Sequence, residues 1–247
     1  MSQGAPGSPA SFTPATESGR AAPTVAVLVP AAGIGARMGG VRKPFMELGG
    51  RPVLDWALAP FLARRDVVEV VVALGGGSGS AALSRLDERI RVVKGGGSRF
   101  ESVANALDGV ESPASVIAVH DGARPFPPAD AIEACVRVAA AGEGAVAGVR
   151  AVDTVKRTGP GNRDVVVETP PRESLWYAQT PQVFPREVFA RAVAHCRTSG
   201  LIPTDDASMV EPLGVEVHMI MASTSNLKIT CPEDVVIAEA YLTEQLV

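Results

Sequence analysis

A glycine-rich segment followed by two cations is the first stretch of this sequence that could do chemistry. The residues PAAGIGARMGG (30–40) follow the apolar run TVAVLV (24–29), and Lys43 lies six residues after Arg37. Small residues at 31–35 let backbone N–H groups approach a ligand closely, as phosphate-binding turns do. Arg37 and Lys43 would add positive charge to the same space. The segment therefore predicts a phosphate site, and the alternative is a tight strand-to-helix turn with solvated cations.

Two common phosphate motifs do not match this segment. The dinucleotide fingerprint G-x-G-x-x-G requires a third glycine three residues after Gly35, where the sequence has Met38. The Walker A pattern can start at Gly35 and reach Gly40, but Val41 then stands in the place of its lysine. A nucleotide-binding dehydrogenase or a non-catalytic Rossmann-like module would be expected to have the complete fingerprint, so the missing glycine leaves both as less favoured alternatives.

An aspartate follows a second apolar run. Asp121 belongs to HDGARP (120–125) and comes directly after SVIAV (115–119). A carboxylate at such a strand end could bind a Mg²⁺ ion that bridges phosphate oxygens, and the alternative is an aspartate that caps a turn. Gly122 would allow close approach of the backbone, and Arg124 offers a planar guanidinium to a phosphate group.

Three consecutive glycines mark the end of another predicted strand. The segment GGGSRFES (95–102) opens a helix predicted over 98–110, with Ser98 as its N-cap and Glu101 at the capping-box position. A flexible turn with a helix cap accounts for Ser98, but it does not account for three glycines in a row.

The composition of the whole chain excludes several functional classes. With 247 residues, 46% of them hydrophobic, the chain can bury a sizeable core. A formal net charge of −4 gives no reason to expect nucleic acid or an anionic membrane surface as a partner. No apolar run reaches the length of a membrane span. The three cysteines are far apart in sequence, which argues against a disulfide scaffold or a structural zinc site and favours the cytoplasm.

The domain organisation predicted from composition is a tail followed by one domain. Residues 1–22 are rich in Ser, Pro, Ala, Gly and Thr, and Phe12 is their only large apolar side chain. Such a segment cannot bury enough surface to offset its ordering entropy, so we predict a disordered tail. Residues 23–247 are predicted to form a single domain.

Strand-like and helix-like segments alternate along that domain. Helices are predicted over 52–63, 98–110, 129–142, 185–197 and 232–246, and strands over 24–30, 67–75, 90–97, 144–152 and 214–222; residues 115–126 are predicted to be a strand that leaves into a loop. This order predicts a three-layer αβα sandwich around a mostly parallel sheet, in which ligands lie beyond the carboxyl ends of the strands. The polar segment 153–175 interrupts the alternation with two short extended runs around a Gly-Pro-Gly-Asn turn, which predicts a projecting β-arm.

Six sequence blocks occur in an order that is shared with a known family. They are PAAGIGARMGG with Lys43, HDGARP, DTVK (153–156), LWYAQTPQVF (175–184), TDDAS (204–208) and NLKITCPEDVVIAE (226–239). Together they resemble the 2-C-methyl-D-erythritol 4-phosphate cytidylyltransferase family. The resemblance implies a Rossmann-like nucleotidyltransferase fold, Mg²⁺-dependent transfer of CMP from CTP to a polyol phosphate, and a homodimer joined through the β-arm.

One block departs from the family pattern. The family usually has Pro-Lys-Gln-Phe/Tyr-Leu, whereas residues 42–46 are Arg-Lys-Pro-Phe-Met, with one residue fewer after Met38. Lys43 keeps the lysine position because Phe45, Leu48 and Gly49 hold the register. Arg42 is a neighbouring cation that could compete for the role of Lys43.

The resemblance also assigns roles to individual residues. Because the attacking phosphate oxygen is already ionised, no catalytic base is required, and Arg37 and Lys43 would stabilise the charge that develops on the triphosphate. His120 is therefore predicted to be structural. Asp121 would bind Mg²⁺ and the nucleotide. The remaining nucleotide contacts implied by the resemblance are Ala31, Ala32, Gly33, Gly96, Gly97 and Ser102.

A second set of residues would hold the acceptor. Thr154, Arg172 and Lys228 are implied to bind and orient the polyol phosphate, the last two as catalytic residues, and Arg172 is placed by counting back from Trp176. Arg124 is assigned to the same substrate-binding set. Thr204 and Asp205 would contact acceptor hydroxyls, and a helix N-cap is an equally good interpretation of either. The acceptor could also be ribitol 5-phosphate, and a sugar-nucleotide pyrophosphorylase that uses UTP or GTP is a more distant alternative.

Overall fold

The alternating pattern folds into a seven-stranded sheet with helices on both faces. A computed structural model of the chain describes residues 22–33, 43–76, 83, 86–161 and 164–247. The strands are β1 Val25–Ala31, β2 Glu47–Leu48, β3 Arg51–Pro52, β4 Val67–Leu74, β5 Ile90–Lys94, β6 Val116–Val119, β7 Gly144–Arg150, β8 Arg157–Thr158, β9 Val166–Glu168, β10 Trp176–Pro185 and β11 Val217–Met221. The helices are α1 Val53–Leu62, α2 Arg99–Asp108, α3 Ala129–Ala141, α4 Arg186–Ser199, α5 Ala207–Val210 and α6 Pro232–Thr243, and short 3₁₀ turns cover Lys43–Phe45, Arg172–Ser174 and Glu211–Leu213.

The sheet has the order β11-β7-β10-β6-β1-β4-β5 and is mostly parallel, as predicted. β1 pairs in parallel with β4 and β6, β4 with β5, and β11 with β7. Only β10, among these seven strands, runs antiparallel to its neighbours β6 and β7. The carboxyl ends of β1, β4, β5 and β6 therefore meet at one edge of the sheet.

β10 is a strand that the sequence analysis did not predict. Its register shifts between Ala178 and Gln182, and Pro181 lies within that shift. Proline cannot donate to a sheet ladder, so a segment with an internal proline is ordinarily not expected to form a central strand. The irregularity accommodates Pro181, and the buried second half of the strand pairs with β6 from Gln182 onward.

Two apolar layers bury the sheet. On one face, Leu54, Leu58 and Phe61 of α1 and Ile132 and Cys135 of α3 pack against odd-numbered positions of β1. On the other face, residues of α2, α4 and α5 pack against the even-numbered positions Ala26 and Leu28. This alternation follows from the two-residue period of a strand, and it confirms the three-layer sandwich.

The segment predicted as an arm forms its own two-stranded antiparallel sheet, β8 with β9. Its residues are mostly exposed, and Val165, Val166 and Val167 each have more than half of their surface accessible. Residue 162 of the predicted turn and residue 163, which follows it, lie outside the described part of the chain. The hairpin is therefore confirmed, and it does not pair with the seven-stranded sheet.

Other predictions fall partly outside the described residues. These include positions 1–21 of the predicted tail and the loop 34–42, which contains Arg37 and Arg42. Among the helices that are described, none combines the length and the apolar composition needed to cross a bilayer.

Candidate functional site

A cavity of about 480 Å³ lies at the edge where the parallel strands end. Three chain turns meet there, after β1, after β5 and after β6, and the loop before α6 closes one side. The lining comprises Pro30, Ala31, Ala32, Gly33, Pro44, Gly96, Gly97, Ser98, Arg99, Ser102, Asp121, Gly122, Ala123 and Lys228. Apart from the two cations Arg37 and Lys43, every residue that the sequence analysis assigned to the nucleotide is in this set, and so is Lys228 from the predicted acceptor set.

The glycines after β5 are explained by close packing. A Cβ atom on Gly95 would lie 2.3 Å from the Cβ of Ala32, and one on Gly96 would lie 2.2 Å from the Cβ of Glu101. Contacts this short are not tolerated. Glycine at position 95 therefore lets the turn after β5 touch the turn after β1, and glycine at position 96 lets it pack against the first turn of α2. Gly97 is different, because its nearest neighbour would be the flexible end of Glu101 at 3.3 Å.

Replacing Gly96 by Ala should therefore destabilise the protein by about 1–3 kcal/mol, the usual cost of overpacking. Urea unfolding followed by circular dichroism would measure the change. Gly97→Ala is the matched control, since its added methyl meets only a movable carboxylate. Equal stability of the two variants would contradict the packing argument.

Hydrogen bonds within the same turn engage several groups that were predicted to contact the nucleotide. Ser98 caps α2 by accepting from the Glu101 backbone N–H at 3.1 Å, as predicted. The Ser102 hydroxyl accepts from the Gly96 N–H at 3.1 Å and donates to the Ser98 carbonyl oxygen at 2.9 Å. The Gly97 N–H donates to the Glu101 carboxylate at 2.6 Å. The turn is thus held in shape by its own polar groups.

Asp121 lies at the centre of a group of cations. Its Oδ1 accepts from Arg99 Nε at 3.0 Å, its Oδ2 lies 2.8 Å from Lys228 Nζ, and Arg124 Nε is 3.8 Å from Oδ2. Burial of Asp121 raises the pKa of its carboxyl, but the three cations outweigh that effect and hold the pKa well below its usual range. Asp121 is therefore ionised at neutral pH.

The partnership of Arg99 with Asp206 was missed by sequence reasoning. Arg99 NH1 and NH2 donate to the two carboxylate oxygens of Asp206 at 2.9 and 2.6 Å, and the Asp206 side chain is fully buried. Burial raises the pKa of Asp206, and the Arg99 guanidinium opposes that rise. The two residues are 107 positions apart, so no local spacing could have paired them.

His120 is a structural residue, as predicted. Its Nε2 lies 3.0 Å from the carbonyl oxygen of Arg124, which can only accept, so Nε2 carries the proton. Nδ1 then accepts from the Thr180 hydroxyl at 3.0 Å, and that hydroxyl itself accepts from the Asp121 backbone N–H. Burial lowers the pKa of His120 to about 4. Both ring nitrogens are occupied and the ring is neutral at physiological pH, so His120 cannot serve as a base.

Arg124 does not line the cavity. Its NH1 donates to the Asn226 carbonyl oxygen at 2.7 Å, which ties the turn after β6 to the loop that carries Lys228. The Asn226 amide in turn donates to Gln179 Oε1 and to the Thr180 carbonyl oxygen, each at 2.9 Å. In the described chain, Arg124 thus orients the loops around Asp121 rather than facing the cavity.

The structure describes little of Arg37 and Lys43, the two cations predicted to stabilise the transition state. Arg37 lies outside the described residues, and of Lys43 only the backbone, at the start of a 3₁₀ turn, is described. The residues on either side of the undescribed loop, Gly33 and Pro44, both line the cavity. Both ends of the loop are therefore anchored at the site.

Thr154 and Arg172 belong to the arm region and do not line the cavity of this chain. Both are exposed. Arg172 NH1 donates to the Val152 carbonyl oxygen at 3.1 Å, and its Nε lies 3.7 Å from the Glu173 carboxylate. Arg172 is therefore held against the base of the arm.

Thr204 and Asp205 also lie outside the cavity lining. Asp205 Oδ1 accepts from the Ser208 backbone N–H at 3.0 Å, and Oδ2 accepts from Gln182 Nε2 at 3.0 Å. The first contact supports the helix-cap interpretation of Asp205. Thr204 is exposed.

Potential metal ligands occur in two places in the described chain. Glu143, Glu216 and His218 bring ligand atoms within 4.8 Å of one another, but they lie at the amino ends of β7 and β11, at the opposite edge of the sheet. Asp121 is the only carboxylate among the described residues that line the cavity. A single ionised carboxylate combined with phosphate oxygens is a donor set that suits Mg²⁺.

Glycine-rich turns, cationic side chains and one ionised carboxylate meet at the carboxyl edge of a mostly parallel sheet. This arrangement defines the class of α/β proteins that bind a phosphorylated ligand at the ends of their strands. The family model for 2-C-methyl-D-erythritol 4-phosphate cytidylyltransferase (IspD) matches residues 25–244. The chain belongs to this family.

Individual relatives support the same membership. The enzyme of that name from Solibacter usitatus is 42% identical over 235 residues, which cover 90% of this chain and 96% of the relative. The enzyme from Symbiobacterium thermophilum is 42% identical over 223 residues, with 90% and 94% covered. The solved structure of the Thermus thermophilus enzyme has a TM-score of 0.72 at 33% identity and covers 90% of this chain and 98% of that one.

Proposed function

We propose that the chain transfers the cytidylyl group of CTP to 2-C-methyl-D-erythritol 4-phosphate in the non-mevalonate isoprenoid pathway. An oxygen of the acceptor phosphate forms a bond to the α-phosphorus of CTP, the bond from that phosphorus to the bridging oxygen breaks, and pyrophosphate leaves. The observation that carries the proposal is the convergence of the predicted nucleotide residues, drawn from three separate strand ends, on one cavity beside Asp121.

The main barrier to this reaction is the repulsion and build-up of negative charge, and no proton needs to be removed. Two polyanions must approach each other, and negative charge grows around the α-phosphorus in the transition state. A base has nothing to remove, which agrees with a neutral, fully hydrogen-bonded His120. Arg37 and Lys43 are proposed to stabilise the developing charge, and the turns after β1 and β5 are proposed to hold the nucleotide.

We propose Asp121 as the protein ligand of a Mg²⁺ ion. Its carboxylate is ionised and borders the cavity. When bound, the metal would neutralise part of the triphosphate charge. Lys228 Nζ lies 2.8 Å from Oδ2 of the same carboxylate, so this ammonium would have to leave that oxygen when the metal binds.

The acceptor site is proposed to include Lys228 from the cavity and Thr154 and Arg172 from the base of the arm. Because the last two do not line the cavity of their own chain, we propose that the arm of a second copy completes the site in a homodimer. The exposed valines 165–167 support this, since a cluster of exposed apolar side chains is expected to be covered in an assembly. A cytoplasmic location is proposed from the three free cysteines, two of which are buried.

The experiment that tests the function is a coupled assay of pyrophosphate release. Purified protein is given CTP and Mg²⁺ with 2-C-methyl-D-erythritol 4-phosphate or with ribitol 5-phosphate, and UTP and GTP replace CTP in parallel reactions. We expect release only with CTP and the methylerythritol phosphate. Release with ribitol phosphate alone would overturn the acceptor assignment, and preference for UTP or GTP would overturn the nucleotide assignment.

Replacing Lys228 by Ala is expected to weaken use of the acceptor. A charge-assisted contact to phosphate is typically worth about 1.5–3 kcal/mol, so the KM for the acceptor should rise by about 10–100-fold. The KM for CTP should change little, because Arg99 and Arg124 remain beside Asp121. Lys94→Ala, an exposed lysine outside the cavity lining, serves as control. Equal losses for both substrates would contradict the assignment of Lys228 to the acceptor.

A further inference from the structure

Arg99 contacts both the HDGARP block, which was predicted to bind the metal and the nucleotide, and the TDDAS block, which was predicted to contact the acceptor. It lies in the first turn of α2, lines the cavity, and donates from all three of its nitrogens. Nε contacts Asp121 after β6, and NH1 and NH2 contact Asp206 at the start of α5. One guanidinium therefore bridges the proposed metal ligand and a buried carboxylate of the TDDAS block.

Asp206 is a rigid anchor for that guanidinium. Its side chain is fully buried and does not cap α5, and within the described chain Arg99 is its ion-pair partner. The next backbone N–H, that of Ala207, donates to Gln182 Oε1 at 2.8 Å, and Gln182 Nε2 donates to Asp205. The anchor is thereby fixed to β10, in the middle of the sheet.

A planar guanidinium held at two nitrogens has no freedom left at the third. Once Asp206 holds NH1 and NH2, Arg99 Nε points at one oxygen of Asp121, which lies 3.0 Å away. The carboxylate of Asp121 is then turned so that its other oxygen, Oδ2, faces Lys228. The orientation of Asp121 is thus set by a residue that the sequence analysis gave no role.

We propose that Arg99, anchored by Asp206, is a positioning residue that holds Oδ1 of Asp121 and thereby fixes the orientation of Oδ2, the oxygen beside Lys228 that is left as the proposed ligand of the metal. This inference rests on the proposed function, because it assigns Asp121 to that ligand. Arg99 acts through Asp121, and Asp206 acts through Arg99. A substitution at Asp206 is therefore expected to affect binding of the nucleotide, because Arg99 links Asp206 to Asp121.

The alternative is that the pair is merely structural, and a double substitution separates the two. Arg99→Met or Asp206→Leu alone leaves a buried charge unpaired and should lower stability. The double variant Arg99→Met/Asp206→Leu replaces the ion pair by apolar side chains of similar size, which commonly restores stability. It cannot restore the contact to Asp121. The double variant is therefore expected to regain the stability of the wild-type protein but not its catalytic rate.

The chain offers a matched control for this design. Arg197 donates to both oxygens of Asp108 at 3.1 and 2.6 Å, which is the same bidentate geometry. This pair lies on the surface and outside the cavity lining. Arg197→Met/Asp108→Leu should leave the kinetics unchanged. Arg99→Lys tests whether the planar guanidinium is required, since an ammonium keeps the charge but cannot hold both carboxylates in the same geometry.

The measurements are thermal unfolding, the kinetic constants, and calorimetric titration of Mg²⁺ with a non-hydrolysable CTP analogue in the absence of acceptor. We expect the double variant to regain stability while kcat stays about 10–100-fold low and the affinity for Mg²⁺ with the analogue falls by a similar factor, the range typical of residues that orient a metal ligand. Arg99→Lys should lose less than the double variant.

Wild-type kinetics in the double variant, or in Arg99→Lys, would overturn the inference and leave the proposed function intact. If the wild-type protein itself releases no pyrophosphate with any acceptor, the proposed function fails instead. The two failures are thus distinguishable within one set of assays.

Discussion

Asp121→Asn is expected to reduce the rate of pyrophosphate release by about 10²–10³-fold, the range typical for loss of one electrostatic contact to a transition state. Asparagine keeps the shape of the side chain but removes its charge, and charge is what a Mg²⁺ ligand at this position must supply. The Mg²⁺ concentration that gives half of the maximal rate should rise as well. A steady-state assay over a series of Mg²⁺ concentrations measures both quantities.

The loss must be separated from a loss of folding. Asp121 balances Arg99, Arg124 and Lys228, and removing one partner of a buried ion pair commonly costs about 3–5 kcal/mol. The cost here is expected to be smaller, because Arg99 keeps Asp206 and the Lys228 side chain is 40% exposed. Asp108→Asn, which removes a carboxylate from a surface pair with Arg197, is the control. A folded Asp121→Asn protein with wild-type Mg²⁺ dependence would show that Asp121 does not bind the metal.

Lys43→Ala and Arg37→Ala should each lower kcat by about 10²–10³-fold and leave the fold intact. Gly33 and Pro44, the residues that flank positions 34–43, both line the cavity. A cation that acts only as charge develops should affect kcat more than the KM for CTP. Steady-state kinetics with both substrates varied would show where the loss falls.

Arg42→Ala tests whether Lys43 or the neighbouring Arg42 has the catalytic role. Arg42 stands next to Lys43 and carries the same charge, and the spacing after Met38 differs by one residue from the family pattern. If the register held by Phe45 and Leu48 is right, Arg42→Ala should keep nearly full activity. A larger loss in Arg42→Ala than in Lys43→Ala would move the catalytic role to Arg42.

The part of the site that the sequence could predict is the part formed by strand ends. Ala32, Gly96 and Asp121 each follow an apolar run, and parallel strands bring such positions to one edge whatever the order of the strands. Their convergence therefore required only the correct fold class. Lys228 was found by its resemblance to a family block, and the structure places it beside Asp121.

The part that could not be predicted depends on long-range pairing. Arg99 and Asp206 meet across 107 residues, and neither has a local signal beyond being a charged residue near a helix start. β10 was missed because Pro181 and two glutamines interrupt its apolar pattern, although Thr180 from this strand contacts both Asp121 and His120. Arg172 and Thr154 lie in the arm, whose residues are exposed, so burial patterns carry no information about their position.

The place where the arm joins the sheet makes it a separable module. Trp176, the first residue of β10, pairs directly with Arg150, the last residue of β7, and the Ala151 N–H donates to the Leu175 carbonyl oxygen at 3.0 Å. Neighbouring antiparallel strands need only a short turn between them. The 24 residues from 152 to 175 thus form an insertion that the pairing of β7 with β10 does not require. Substitutions or insertions in that segment are therefore expected to leave the register of β7 and β10 unchanged, and within it Thr154 and Arg172 are the positions that the proposed acceptor site constrains.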